Sequence, residues 1–274
     1  MDYEAFDTLS VSIDRGIATV AFDHPPINLL DAAMIRDLDR LGRALADDAA
    51  VRVAVFRSAN PDFFIAHADV ALIQRLPTEP PPKSTSLGVF HQIVDRFRTM
   101  PKATIGVVEG RARGGGSEFL LSLDMRFGAL GRAVLAQPEV ALGIIPGGSG
   151  TQRLPRLIGR ARALEVILGC ADVPAELAER WGYLNRALPP EQLHAYVDAL
   201  ARRIASFPAE TIALAKRAVD AADTTVEAGL LEEAHCFNLS LATASAQKRM
   251  ARFLAVGGQT AEAEKRIDDL LSAL

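Results

Sequence analysis

Cysteine is nearly missing from this chain of 274 residues: Cys170 and Cys236 are the two, far apart and in no metal-ligand spacing. They read as reduced, buried thiols in a cytosol-like compartment. A positive excess is missing as well. The 30 Lys and Arg stand against 34 Asp and Glu, a formal net charge of -4. That disfavours a polyanion such as nucleic acid as partner. No segment approaches the roughly 20 uninterrupted apolar residues that a membrane span requires. The opening "MDYEAFDTLSVSID" has neither a basic stretch nor a long apolar run, which speaks against a signal or transit peptide. The expectation is a soluble, cytoplasmic protein without nucleic-acid or membrane partners. What is present is ordinary for a globular chain: 49% hydrophobic and 23% charged residues, ample material for a core in one large domain or a domain with an appendage.

The pattern along the chain alternates strands and helices. "LSVSID" and "IATVAFD" alternate apolar and polar residues around Arg15-Gly16, as a β-hairpin does. Pro25 and Pro26 end the second strand. Asp31 can cap a helix reaching about Ala46, with Met34, Ile35, Leu38, Leu41 and Leu45 at helical spacing. "VRVAVF" reads as a buried strand, "RSANPDFFIAHAD" as a loop, and Val70 to Leu76 as a short helix. "PTEPPPKSTS" is too rich in proline for regular structure and reads as a surface loop. A helix from about Leu87 to Arg98 then leads to the strand "ATIGVVEG", a triple glycine and a helix through "SEFLLSL". The strand-loop-helix unit recurs without a fixed sequence period. From Phe207 the character changes to three helical stretches, "AETIALAKRAVDAA", "TVEAGLLEEAHCFNLSLATASAQKRMARFLA" and "AEAEKRIDDLLSAL". The division expected is a β/α body over 1–206 and a helical region over 207–274. Leu230, Leu231, Phe237, Leu239 and Leu241 make one face of the middle stretch too apolar to stand alone, which predicts packing on the body or on another subunit.

Two glycine-rich turns carry the chemistry. In "GRARGGGSE" consecutive glycines run straight into a helix, whose first N–H groups lack internal partners and whose dipole favours negative charge. Such a turn can present an N–H to an oxyanion, or it can serve only tight strand-to-helix packing, and the glycines alone leave both open. Glu118 just inside that helix, and Glu139 after Pro138 beside "GIIPGGSG", also have plain explanations, since acidic residues favour first turns. Both, however, directly follow a strand, at the edge where sites in α/β proteins assemble.

The blocks "MPKATIGVVEGRARGGGSEFLLSLDMRF" and "QPEVALGIIPGGSGTQRLPRLIG", with "HPPINLLD", "FFIAHADV" and "AERWGYLNRAL", resemble the crotonase, or enoyl-CoA hydratase/isomerase, superfamily over nearly the whole chain. The resemblance implies an α/β fold, a spiral of ββα units with a C-terminal helical oligomerisation region, and a homotrimer or homohexamer. It implies an acyl-CoA thioester as substrate, coenzyme A being part of that substrate, with no separate cofactor and no metal. It also implies an oxyanion hole from the backbone N–H groups of Ala68 and Gly115, with Glu118 and Glu139 as catalytic carboxylates. Ala66, His67, Asp69, Gly114, Pro138 and Gly147 are the neighbouring positions expected to bind substrate. Family hydratases use both carboxylates around one water, whereas the isomerases need only the one matching Glu139; keeping both tilts the reading toward hydration. The chemistry agrees, because a 2-enoyl thioester becomes electrophilic only when fixed donors polarise its carbonyl, and buried carboxylates have pKa values raised toward neutrality.

The chain also departs from these relatives. His67 stands where glycine is usual, and is expected to be a loop side chain turned outward rather than a further polar group at the thioester. His24 stands where arginine is frequent, Ala71 where lysine is, and "AVGGQTAEAEK" replaces a basic stretch. Phosphates need cations or helix N-termini, which makes Arg75 and Lys83 the candidates for holding the coenzyme. "SAQKRM" replaces an acidic motif in the tail. The competing readings are an isomerase or another reaction through a thioester enolate and, in a different class, a catalytically weak acyl-CoA-binding homologue.

Overall fold

The computed structural model describes residues 6–76, 85–223 and 243–256, together with residues 3, 235, 238 and 239. The hairpin forms as its alternation dictates: β1 (Leu9–Asp14) pairs antiparallel with β2 (Ile17–Phe22). Asp31 caps α1 (Ala32–Asp47), its carboxylate accepting from the N–H groups of Ala33 and Met34 at 2.9 Å each. Then come β3 (Val53–Ser58), β4 (Phe63–Ile65), α2 (Val70–Ile73), α3 (Val89–Thr99), β5 (Ala103–Val108), β6 (Arg111–Arg113) and α4 (Gly115–Leu121). They are followed by β7 (Met125–Ala129), β8 (Val134–Ala136) and a 3-10 turn over Glu139–Leu142. The remainder is α5 (Gly150–Ile158), α6 (Arg160–Gly169), β9 (Val173–Pro174), α7 (Ala175–Trp181), β10 (Arg186–Leu188), α8 (Pro190–Ala205) and α9 (Ala209–Asp220).

Two sheets result. The larger has the order β1-β2-β3-β5-β7-β10, parallel from β2 onward, and the smaller the order β4-β6-β8-β9. Period-two alternation sends Val53 and Val55 to one face of the large sheet, against Leu193 and Val197 of α8. Ala54 and Phe56 point to the other, into the main core. There Phe119 of α4 packs edge-on against Phe22, Phe56 and Phe97 with ring centroids 5.7, 5.3 and 5.2 Å away. The residue after Glu118 is thus nailed into the centre of the molecule.

The strands of the small sheet are two or three residues long, too short to show a period, which is why β4 lies in what reads as a loop. It forms because β6 and β8 extend it in parallel. Asn28 locks the preceding loop onto it, donating from Nδ2 to Ser58 Oγ and to the carbonyls of Phe63 and Phe64 at 2.8 to 3.1 Å. In the tail, α9 opens after Pro208 as expected. The middle stretch is not continuous at its end: Thr243 is a bend whose hydroxyl accepts from Ala246 N–H, and a helix runs from there over Ala244–Ala255. Of the apolar face, Leu239 is exposed, and Leu230, Leu231, Phe237 and Leu241 lie outside the described residues, as do Cys236, the stretch 261–274 and most of the proline-rich loop.

Candidate active site

The first glycine turn is built by close approach. Gly114 has φ 48° and ψ -124°, a region costly for any side chain. Its N–H donates to Ala136 O of β8 at 3.0 Å, and its carbonyl accepts the first turn of α4 from Glu118 N–H at 2.9 Å. A Cβ on Gly115 would lie 2.8 Å from Leu30 Cδ2 and 3.2 Å from Ala68 Cβ, so the start of α4 presses directly on the 66–69 segment. That segment is held by a parallel bridge between Leu30 and Ala68: Leu30 N–H donates to His67 O, and Asp69 N–H to Leu30 O, both at 3.0 Å. The bridge uses the neighbours of Ala68 and leaves the Ala68 N–H outside it. Gly115, as the first residue of α4, likewise has an N–H without a helical partner.

Glu118 is 3% exposed. Its Oε1 accepts from the N–H groups of Gly148 and Gly150, at 2.7 and 2.8 Å. The second glycine-rich turn therefore grips Glu118, although it follows Glu139 in the chain. Between the two donors sits Ser149, a non-glycine residue at φ 119°, whose strained backbone lets two nearby amides converge on one oxygen. Burial raises the Glu118 pKa, and the backbone donors oppose that rise. Glu139 opens its 3-10 turn beyond β8, and its Oε2 is buried with no hydrogen-bond partner. Burial, with the neighbouring Glu118 adding to it, pushes the Glu139 pKa up to about 7. A Cβ on Gly114 would lie 2.6 Å from Glu139 Oε1, so the glycine also makes room for this carboxylate.

Both carboxylates face one cavity of about 730 Å³. Ala68, Asp69, Gly115 and Gly147 line it with them, while Leu30, Ile35, Leu72, Ile73, Phe90 and Ile144 give it apolar walls. Among the described residues, no lysine or arginine does so. The other positions singled out in the sequence flank the cavity without lining it. Ala66 is buried and donates its N–H to Ile27 O at 3.2 Å, Gly114 stands behind Glu139, and Pro138 precedes the 3-10 turn. His67 is not simply turned outward: it is half-buried, with Nδ1 2.9 Å from Ala68 O. Of the sites that depart from the crotonase pattern, His24 is engaged with the α1 cap, Nε2 lying 2.9 Å from Asp31 Oδ2. Arg75 donates from Nε to Ala71 O at the end of α2, and Lys83 lies outside the described residues.

Sequence reasoning missed the grip of Gly148 and Gly150 on Glu118, the anchoring role of Asn28, and Leu30 as a wall. "GGSG" and the left-handed Asn28 (φ 51°) were the available signals. The fixed donors, apolar walls and paired carboxylates suit acid–base chemistry on a polarised carbonyl.

Known proteins share this fold. The sequence profile described as enoyl-CoA hydratase/isomerase matches residues 12–259. A crotonyl-CoA hydratase of Syntrophomonas wolfei is 32% identical over 253 residues, 91% of this chain and 96% of that protein. The crystal structure of a putative enoyl-CoA hydratase from Streptomyces avermitilis is 40% identical, covers 98% of each chain and superposes with a TM-score of 0.72. The enoyl-CoA hydratase of Bacillus anthracis, 26% identical over 91% of this chain and 96% of its own, superposes with a TM-score of 0.83. With a matching fold and a family profile spanning most of its length, this chain belongs to the enoyl-CoA hydratase/isomerase family.

Proposed function

We propose that the cavity adds water across the double bond of a 2-enoyl-CoA thioester. The observation that carries this reading is the meeting of Glu118 and Glu139 in one cavity with the segment junction of Ala68 and Gly115. In the proposed reaction the N–H groups of Ala68 and Gly115 hold the thioester oxygen and draw electron density from the β-carbon. Glu118, with two N–H donors favouring its anion, takes a proton from a water as the oxygen bonds to the β-carbon. The double-bond electron pair moves into the enolate. Glu139, raised to about 7 and therefore able to carry a proton near neutrality, delivers it to the α-carbon. The apolar walls exclude other water and receive the acyl chain.

Arg75, beside the wall residues Leu72 and Ile73, is a proposed contact for the coenzyme's phosphates, and Lys83 remains a second candidate. The reading extends to a cytoplasmic homotrimer or homohexamer with no separate cofactor; a monodisperse, active monomer in micromolar sedimentation would remove the assembly. The test of the reaction is loss of the conjugated-thioester absorbance across acyl-CoA thioesters of varied chain length. Turnover of crotonyl-CoA supports hydration. Interconversion of a 3-enoyl substrate without hydration means an isomerase, and binding without turnover means an acyl-CoA-binding protein.

A further inference from the structure

Behind the carboxylates lies a buried polar network that the proposed reaction leaves unexplained. Tyr183 is fully buried, and its phenol oxygen hydrogen-bonds Ser117 Oγ. Gln137 Nε2 donates to the same Ser117 Oγ at 3.3 Å, and both Ser117 and Gln137 are inaccessible to solvent. A buried hydroxyl in an apolar core costs stability unless it is satisfied, so a phenyl ring would serve packing alone equally well. The place of the network suggests its use. Ser117 immediately precedes Glu118 on α4, and Gln137 stands two residues before Glu139 at the end of β8. A Cβ on Gly150 would lie 3.0 Å from Gln137 Nε2 and 3.1 Å from Glu118 Oε1, so amide and carboxylate flank the same backbone atom.

Tyr183 itself is rigidly held. It follows Gly182, the left-handed residue that ends α7. Its N–H donates to Ala178 O at 2.8 Å, and its carbonyl accepts from the Nε of buried Arg126 at 3.0 Å. Burial pushes its pKa up to about 12, which keeps the phenol neutral across the working range. Among the described residues, His91 of α3 acts on Glu118, Glu118 acts on Glu139, and both carboxylates act on Tyr183.

We propose that Tyr183 is a positioning residue: through Ser117 and Gln137 its phenol ties the turn bearing Glu118 to the segment bearing Glu139, and so fixes the spacing of the two carboxylates. This rests on the hydratase reading only for its kinetic consequence. Tyr183→Phe in the full chain keeps the ring and removes the phenol's hold on Ser117, leaving only the long Gln137 bond of 3.3 Å across the junction. It should lower kcat for crotonyl-CoA about five- to tenfold, the scale of one hydrogen bond, with KM changed by less than about twofold. It should also move the titration midpoint of Glu139, read by difference infrared spectroscopy against Glu139→Gln, by about half a pH unit or more. Ser117→Ala removes both the phenol and the Gln137 bonds and should produce both changes at least as strongly; it carries the test if Tyr183→Phe does not fold. The double variant should be scarcely worse than Ser117→Ala alone. A folded variant with a lowered melting temperature but unchanged kcat and unchanged Glu139 titration overturns the proposal and leaves Tyr183 a packing residue. If the unaltered protein does not hydrate crotonyl-CoA, the functional reading falls, while the infrared titration still decides whether the tie exists.

Discussion

Glu118 and Glu139 share one cavity but are held in opposite ways. Glu118 is seated in the first turn of a helix whose next residue is locked among phenyl rings, and two backbone amides close on its Oε1. Glu139 stands at the start of a single 3-10 turn, its Oε2 buried without a partner. Burial raises both pKa values; amides of the distant 148–150 turn oppose the rise at Glu118, whereas at Glu139 the opposing backbone N–H is its own and the neighbouring Glu118 adds to the rise. Two identical side chains in one site are thereby given different surroundings, which suits them to the different tasks proposed above.

The strongest way to break this comparison is to remove each proton in turn. Glutamine keeps size and hydrogen bonding but exchanges no proton near neutrality. Glu118→Gln and Glu139→Gln should each lower hydration by about two to four powers of ten. The double variant should be scarcely worse than the poorer single one, because in the proposed reaction both serve the same addition. Steady-state turnover of crotonyl-CoA checks this. Should Glu118→Gln retain most activity while Glu139→Gln is crippled, the enzyme is an isomerase; normal turnover in both folded variants leaves neither residue a catalytic role.

Gly115→Val tests the junction of Ala68 and Gly115 that lines the cavity with the two carboxylates. Its new Cβ would collide with Leu30 Cδ2, 2.8 Å away, and crowd Ala68. Activity should fall far more than thermal stability, since loop strain of this kind costs only on the order of 1–3 kcal/mol. Near-normal turnover in a folded variant would remove Gly115 from the carbonyl site.

Gly148→Ala sharpens the contrast from the side of Glu118. The added methyl would lie 2.6 Å from Glu118 Oε2 and from Phe90 Cε1, forcing the turn and its N–H donors away. Less stabilisation of the anion should raise the Glu118 pKa further, moving the acidic limb of the kcat profile to higher pH with a loss of about tenfold in kcat. An unshifted limb would show that the grip has no electrostatic role.

The smallest effect expected is on stability. Glu139 rises from 4.5 to about 7 on folding, so between those values the folded state binds more protons than the unfolded one. Stability contributed by this group is therefore greatest at acid pH and declines as pH rises through about 7. The melting temperature of the parent should drop from pH 5 to pH 8 by more than that of Glu139→Gln. Parallel curves would mean that the carboxyl is not protonated in the folded protein.

Much of this arrangement was legible in the sequence because it rests on local rules. The Arg15-Gly16 hairpin, the Asp31 cap and the glycine start of α4 follow from turn chemistry, capping and helix termini. The motif resemblance then pointed to Glu118, Glu139, Ala68 and Gly115, which the fold brings to one cavity. The rest depends on contacts distant in the chain. No local pattern reveals that the amides of residues 148 and 150 close on a carboxylate thirty residues earlier. Nor could the two- and three-residue strands of the small sheet announce themselves, since pairing alone creates them. Tyr183 read as an ordinary member of "AERWGYLNRAL"; its buried phenol acquires meaning only once Ser117 is beside it.

The phenyl cluster around Phe119 has a consequence for how this protein can change over generations. The floor of the cavity is continuous with the most deeply packed part of the molecule, while Ile144 and Ile145 on its rim are 38% and 67% exposed and bear little of the fold's packing. Substitutions at the rim can reshape which acyl group is admitted without disturbing the carboxylate beneath, whereas a change in the rings would alter both at once. New substrate preferences are accessible to this scaffold by one-residue steps at the rim, with the acid–base apparatus inherited intact.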